Sequence, residues 1–251
     1  MNKWLQGQTA LVSGGSRGIG AAITLELAKA GADVAINYFQ SFDQATQVAE
    51  ECRREGVSAQ VYPANIGSRN EVKEMFRQVE KDLGEPNLLI HSAGVTGKSL
   101  LFQDVMEEEY DLLFDTHVRG ATHLIQGVLP GMIRNRFGRI ILISSIWGES
   151  GGAGEVLYSA AKGAINGMTR ALAKELAPSG ITVNAIAPGA IETDMLTRQV
   201  TKEELNEIEE SIPIGRVGQP REIATLAAHL CNMESAYLTG QILHINGGWY
   251  P

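Results

Sequence analysis

Ser145, Tyr158 and Lys162 are the residues from which a chemical reading of this 251-residue chain starts. Ser145 follows a short apolar run, Ile140 to Ile143, the pattern of a strand buried on both faces. A glycine-rich loop comes next. Beyond it Tyr158 and Lys162 stand four residues apart, which puts both on one face of a helix. A lysine ammonium beside a phenol favours the tyrosinate and lowers a pKa that is about 10 when unperturbed. Such a tyrosine can protonate a carbonyl oxygen as hydride reaches the carbon, and take the proton back in the reverse direction. The serine hydroxyl would hold the same oxygen. Tyr-x-x-x-Lys alone says little, and its weight comes from the elements around it.

Those elements alternate. Thr9–Ser13 reads as a strand that runs into SGGSRGIG at 13–20, with glycines at 14, 18 and 20, and then into a helix stopped at Gly31. Strand, glycine turn and helix make a phosphate cradle, because glycine lets the backbone approach a pyrophosphate and the helix start offers free N–H groups. The spacing is G-x-x-x-G-x-G, which differs from the usual dinucleotide fingerprint. Asp33–Tyr38 is a second strand. No acid stands near its end to hold a ribose 2′-hydroxyl, while Arg17 sits in the glycine loop. A cation without a competing carboxylate suits a 2′-phosphate, so the expected cofactor is NADP(H).

Further along, 43–55 and 69–83 read as helices, and Ser58–Tyr62 and Leu88–His91 as strands, the latter followed by Ser92-Ala93-Gly94. Residues 156–178 form the helix of Tyr158, stopped by Pro178 and Gly180, and Ile181–Ala187 is a strand. In 190–218 an acidic helix, Thr201–Ser211, reads as a lid over a substrate. A helix at 220–232 and a seventh strand, Gln241–Ile245, close the chain. The fold class is α/β: one domain over 1–251, a doubly wound Rossmann-type parallel sheet of about seven strands with helices on both faces. Ligands then lie beyond the carboxyl ends of the strands, where the glycine loop, Ala93, Gly94, Ser145 and Tyr158 converge.

Composition narrows the partners. The net charge is −8 with no basic run, which argues against nucleic acid or an anionic membrane. No apolar run is long enough to span a bilayer, and the start of the chain has no signal-peptide core. Cys52 and Cys231 have no metal spacing and read as free thiols of a cytoplasmic protein. Glu107–Glu109 and Glu203–Glu210 read as solvated helix faces. His117 and His123 lack metal-site spacing, so no catalytic metal is expected.

Several motifs in the right order resemble the short-chain dehydrogenase/reductase family along the whole chain. SGGSRGIG matches the family's TGxxxGIG, and HSAG at 91–94 stands where the family has NNAG. Ser145 precedes Tyr158 by thirteen residues, APGAIETDM at 187–195 matches the nicotinamide segment, and TGQILHINGGW at 239–249 matches the last strand. The resemblance implies that Tyr158 is the acid/base, that Ser145 orients the carbonyl, and that Lys162 binds the nicotinamide ribose and tunes Tyr158. It implies that Gly14, Ser16, Arg17, Gly18 and Ile19 contact phosphates and ribose, with Tyr38, Asn65 and Ile66 on the adenine side. Ala93 and Gly94 would line the adenosine ribose, and Pro188, Gly189, Ile191 and Thr193 would hold the nicotinamide. There are two departures. His117 stands where the family places a fourth catalytic residue, an asparagine, so it is either a substituted relay or a space filler. His91 replaces another asparagine and reads as structural.

For the substrate, LPGMIRNRFGRII at 129–141 and IPIGRVGQPREIA at 212–224 resemble the 3-oxoacyl-acyl-carrier-protein reductases of fatty acid synthesis. His117-Val118, SSIWGE at 144–149 and EVLYSAAKGA at 155–164 look closer to the reductases that convert a 5-aminopentanone on elongation factor P to the amino alcohol. Glu149, Glu155 and Trp147 flank the loop and would receive a cationic amine. The ketone would be carried on elongation factor P or on acyl carrier protein, and Arg134, Arg136 and Arg139 could dock either. The third possibility is an inactive NADP(H)-binding regulator. The resemblance further implies a homotetramer, with the 121–135 and 156–178 helices at one contact and the last strand at another. The aromatic C-terminus, Trp249-Tyr250-Pro251, suits a subunit contact.

Overall fold

A computed structural model of the chain describes residues 3–198 and 200–251. Seven strands form one parallel sheet in the order β3-β2-β1-β4-β5-β6-β7. They are β1 (Thr9–Ser13), β2 (Asp33–Tyr38), β3 (Ala59–Pro63), β4 (Leu88–His91), β5 (Gly138–Ile143), β6 (Ile181–Pro188) and β7 (Ile242–Ile245). Chain order reverses between β1 and β4, so the crevice where an open α/β sheet takes its ligand lies above those two strands.

Apolar side chains at a period of two explain why the sheet is covered on both faces. Ala10 and Val12 of β1 and Ile141 and Ile143 of β5 enter one core, whereas Leu11, Ile140 and Leu142 enter the other. Each such side chain stabilises the fold by about 1.5–3 kcal/mol when fully buried. Helices α1 (Gly18–Lys29), α2 (Phe42–Arg54) and α10 (Pro220–Cys231) cover the first face through Ile23, Leu27, Val48, Ile223 and Ala227. The second face takes α3 (Arg69–Leu83), α5 (Gly120–Asn135) and α7 (Val156–Leu176) through Val72, Phe76, Leu124, Val128 and Ile165.

Three features differ from the sequence expectation. The helix of Tyr158 ends at Leu176, and Ala177–Ser179 forms a tighter 3₁₀ turn around Pro178. The segment before α5 is a helix, α4 (Glu107–Phe114), continued by one π-turn, Asp115–Arg119, that contains His117. Short helices α6 (Trp147–Ser150) and α8 (Asp194–Thr197) interrupt stretches read as loop. Such single turns carry too little periodicity to be seen in a sequence. The expected acidic helix is present as α9 (Lys202–Ser211), opened by a capping box on Thr201 and Glu204. Its segment is closed at the base by Gly218 N–H donating to Ala190 O (2.9 Å) and Glu192 N–H donating to Gly218 O (2.8 Å).

Candidate active site

Ser145, Tyr158 and Lys162 meet at the carboxyl end of β5. The strand end is locked to α7 by side chains that do no chemistry. Ser144 Oγ donates to Asn166 Oδ1 (2.7 Å), and Asn166 Nδ2 donates to Gly148 O (3.2 Å). A Cβ at Gly148 would stand 2.9 Å from the Lys162 carbonyl carbon, so glycine is what lets α6 lie on α7. Lys162 is buried, and its Nζ donates to Ile143 O (2.9 Å) and sits 5.4 Å from the centre of the Tyr158 ring. Ser145 is buried, with its Oγ accepting from Trp147 N–H (3.2 Å). Tyr158 keeps part of its surface on the cleft.

The electrostatics at rest differ from the sequence expectation. Burial pushes the Tyr158 phenol up to about 12, against the opposing effect of the Ser145 hydroxyl, and Glu155 adds to the rise. Burial also pulls Lys162 down to about 7. Desolvation therefore outweighs the attraction between ammonium and phenolate that the spacing suggested. Below about pH 12 the phenol keeps its proton, and a protonated phenol is what a carbonyl oxygen needs as it gains charge.

The glycine loop lies in the crevice between β1 and β4. Gly14 has φ +64°, and a Cβ there would stand 2.6 Å from Ala93 Cα, so the two strand ends touch backbone to backbone. Gly18 has φ +55° and faces the Thr193 methyl, with 3.3 Å between that carbon and an added Cβ. Helix α1 starts without a side-chain cap, which leaves its first N–H groups facing the crevice. This cradle, narrow enough that a methyl would fill it, fits a pyrophosphate. Arg17 is exposed and forms no ion pair among the described residues, and Ser16 is buried beside it.

The other expected cofactor residues stand at or after the carboxyl ends of the strands, or in α1. Ile19 packs partly against the first core, and Tyr38 closes β2 with its ring 5.8 Å from Phe42. Asn65 uses its Oδ1 on Gly67 N–H (3.0 Å). Ile66 is buried against Gly120, and its carbonyl takes a hydrogen bond from His123, so its side chain points into the protein. Ala93 and Gly94 follow β4. Pro188 ends β6, Gly189 packs on Asn246, Ile191 bridges to Gly218, and Thr193 caps α8. His117 is buried with its ring edge-on to Tyr158, 5.5 Å between centres. Among the described residues, no group of three His, Cys, Asp or Glu gathers as a metal site.

Four expectations about the substrate side are corrected. Glu149 pairs with Arg170 (2.9 Å) and lies 3.2 Å from His244, so its charge is already met. Trp147 packs on Trp249 at 5.7 Å, so that indole and the C-terminal tail cover each other. Of the three arginines, Arg139 is buried with its guanidinium on Gly138 O (2.9 Å) and Asn232 O (3.4 Å), and Arg134 pairs with Glu85. Arg134 and Arg136 precede β5 and Arg139 is its second residue, so all three lie at the opposite end of the sheet from Tyr158. Glu109, read as part of a solvated face, instead lines a cleft with Glu155, Gly97, Leu113 and Tyr158. Burial and the Glu109 charge together hold the Glu155 carboxyl above its usual range. Glu109 and Glu155 are forty-six positions apart, a convergence that no local spacing reveals.

With this geometry, likenesses to known proteins can be weighed. Residues 14–250 match a family model described as enoyl-(acyl carrier protein) reductase. The chain is 42% identical to the 3-oxoacyl-[acyl-carrier-protein] reductase FabG of Staphylococcus epidermidis over 97% of this chain and 99% of that one. It is 40% identical to an oxidoreductase of Bacillus subtilis, YmfI, over 97% and 99% of the two chains. Among solved structures it resembles a protein from Agrobacterium tumefaciens described as a candidate gluconate dehydrogenase. The TM-score is 0.93 and the identity 31%, over 99% of this chain and 98% of that one. Such likeness over nearly the whole length, on a seven-stranded parallel sheet that carries Ser145, Tyr158 and Lys162 together, has one reading: the chain is an oxidoreductase acting between CH–OH and C=O and belongs to the short-chain dehydrogenase/reductase family.

Proposed function

We propose that the protein is an NADPH-dependent ketoreductase whose substrate ketone carries an amine, the 5-aminopentanone borne by elongation factor P. The bound cofactor supplies the hydride. Tyr158 gives its proton to the ketone oxygen, Ser145 orients that oxygen, and Lys162 binds the nicotinamide ribose and draws electron density from the phenol. Gly14, Ser16, Gly18 and Ile19 with the start of α1 hold the pyrophosphate, Arg17 takes the 2′-phosphate, and Tyr38, Asn65 and the Ile66 main chain lie on the adenine side. Ala93, Gly94, Pro188, Gly189, Ile191 and Thr193 fix the nicotinamide half. The intact Ser145, Tyr158 and Lys162 geometry favours turnover over a role as a silent cofactor-binding regulator.

The observation that carries the substrate is the Glu109–Glu155 wall beside Tyr158. Two carboxyl groups that repel each other in a partly dry cleft are relieved by an arriving cation. A neutral acyl chain gains nothing there. Lys98, an exposed residue, lines the same cleft. A second reading, a 3-oxoacyl-acyl-carrier-protein reductase, is favoured by the 42% identity to a relative of that name. In both readings the ketone arrives on a protein. A homotetramer is part of the same proposal, supported by exposed Ile133 and Val156 on α5 and α7 and by Tyr237 and Leu238 before β7. Light scattering of the purified protein tests it.

The deciding experiment is NADPH oxidation on an amine-bearing ketone and on a β-ketoacyl thioester, with wild type and Glu109→Gln/Glu155→Gln. The expected outcome is preference for the aminoketone, with its KM raised about tenfold in the double variant, the loss of about 1.4 kcal/mol of charge pairing. Preference for the thioester, unchanged in the variant, would sink the elongation-factor reading and leave the fatty acid one.

A further inference from the structure

His91 and His117, the two positions that depart from the family pattern, are joined in the fold. His91 ends β4 and His117 lies in the π-turn. Both are about 1% exposed, so every ring nitrogen must be accounted for. His91 Nε2 lies 3.1 Å from His117 O, and a carbonyl only accepts, so Nε2 carries the proton. His91 Nδ1 is then a lone pair. It accepts a hydrogen bond from the Ser13 hydroxyl at 3.0 Å, while that oxygen accepts from Ser92 and Ala93 N–H at 3.2 Å each. The same logic holds for His117. Its Nε2 lies 2.8 Å from Val95 O and must be the N–H, with Val95 N–H a weaker neighbour at 3.4 Å. His117 Nδ1 is left as a buried lone pair with no partner among the described residues.

We infer that Ser13, His91 and His117 act as one hydrogen-bonded line in which His91 is a positioning residue that holds the π-turn, and His117 offers an unprotonated Nδ1 as acceptor to a water or hydroxyl in the catalytic cleft. One end of the line is the strand that enters the phosphate loop. The other end packs on the Tyr158 ring, which Lys162 also approaches. A buried acceptor without a donor costs about 1–3 kcal/mol, a cost a site retains where a ligand supplies the donor. Gly94 belongs to the same construction, because a Cβ there would stand 2.8 Å from His117 Cε1 and displace the ring. Burial first, and the Lys162 charge second, keep both imidazoles neutral, with His91 pushed down to about 3. His117 therefore holds a proton donor without becoming the base.

The test has two arms, of which only the kinetic one rests on the ketoreductase reading. In ¹⁵N-histidine spectra of the folded wild type at neutral pH, His117, assigned by its loss in His117→Asn, is expected to show a protonated Nε2 and an unprotonated Nδ1. A protonated Nδ1 overturns the inference whatever the substrate is. In turnover, His117→Leu removes the acceptor and is expected to lower kcat about a hundredfold with little change in KM for NADPH, whereas His117→Asn keeps an acceptor and stays within about tenfold. His91→Leu touches no ligand and is expected to lower kcat about tenfold, His91→Asn to restore most of it, and His91→Leu/His117→Leu to be no worse than His117→Leu alone. Losses that multiply in the double variant overturn the coupling.

Discussion

The two sides of the cleft are made differently. The cofactor side is made of main chain: Gly14 against Ala93, Gly18 against Thr193, and the uncapped start of α1. The proposed substrate side is made of side chains from distant segments: Glu109 from α4, Glu155 from the loop before α7, and His117 from the π-turn. Main-chain sites need glycine at fixed offsets and tolerate little change. Side-chain sites can be rewritten one residue at a time, which is how one family holds many substrates on one sheet.

Substitutions in the two halves should therefore fail in different ways. The largest effect is expected at the junction. Tyr158→Phe should lower kcat by about 10³–10⁴-fold while NADPH still binds, read by cofactor fluorescence, since only the proton donor is lost. Loss of NADPH binding in that variant would mean that the phenol holds the cofactor and that the division is wrong. Lys162→Met should also abolish most turnover, yet raise the melting temperature. A lysine held near 7 when folded and near 10.5 when unfolded costs stability in full below pH 7, and the cost fades as pH rises to 10.5. The gain in the Met variant should therefore be largest below pH 7 and vanish above 10.5. A gain that grows with pH would show that the ammonium is not desolvated.

Gly14→Ala drives a Cβ into Ala93 at a positive φ. It should weaken NADPH about tenfold or more, with part of the loss appearing as reduced stability of about 1–3 kcal/mol. Arg17→Ala should cut the preference for NADPH over NADH by about tenfold without affecting kcat, because only a 2′-phosphate contact is removed. An unchanged preference would place the 2′-phosphate elsewhere. Glu149→Gln should be close to silent on either ketone, in contrast to Glu155→Gln, since Arg170 already meets that charge.

The same contrast explains what could be read from the sequence. A main-chain site announces itself, because SGGSRGIG after a strand and Tyr158 four residues before Lys162 are local patterns, and the strands that carry them are apolar runs with sharp ends. β1, β2, β4 and α3 have the expected limits for that reason. The substrate side is silent in sequence. Glu107–Glu109 looks like any solvated helix start until the fold sets Glu109 beside Glu155. Glu149 and Glu155 look alike until Arg170, twenty-one positions away, takes one of them. Arg139 looks like a surface cation, and only the tertiary structure buries it. His91 and His117 each read as an isolated oddity, because the bond between them joins a strand end to a helix irregularity that no period foretells.

The segment that carries α9 is anchored unevenly. Helix α9 buries none of its side chains in the core and satisfies its own first turn through Thr201 and Glu204. A helix that caps itself keeps its shape wherever it sits, so its position is set by the chain on either side of it. The span from Ala190 to Gly218 is tied at its foot by two backbone hydrogen bonds, and after α9 by buried Ile212 and by Ile214 N–H donating to Gly247 O (3.2 Å). On the proposed reading of a protein-borne ketone, entry and release turn on these anchors, while the sheet and the Tyr158 helix keep their own.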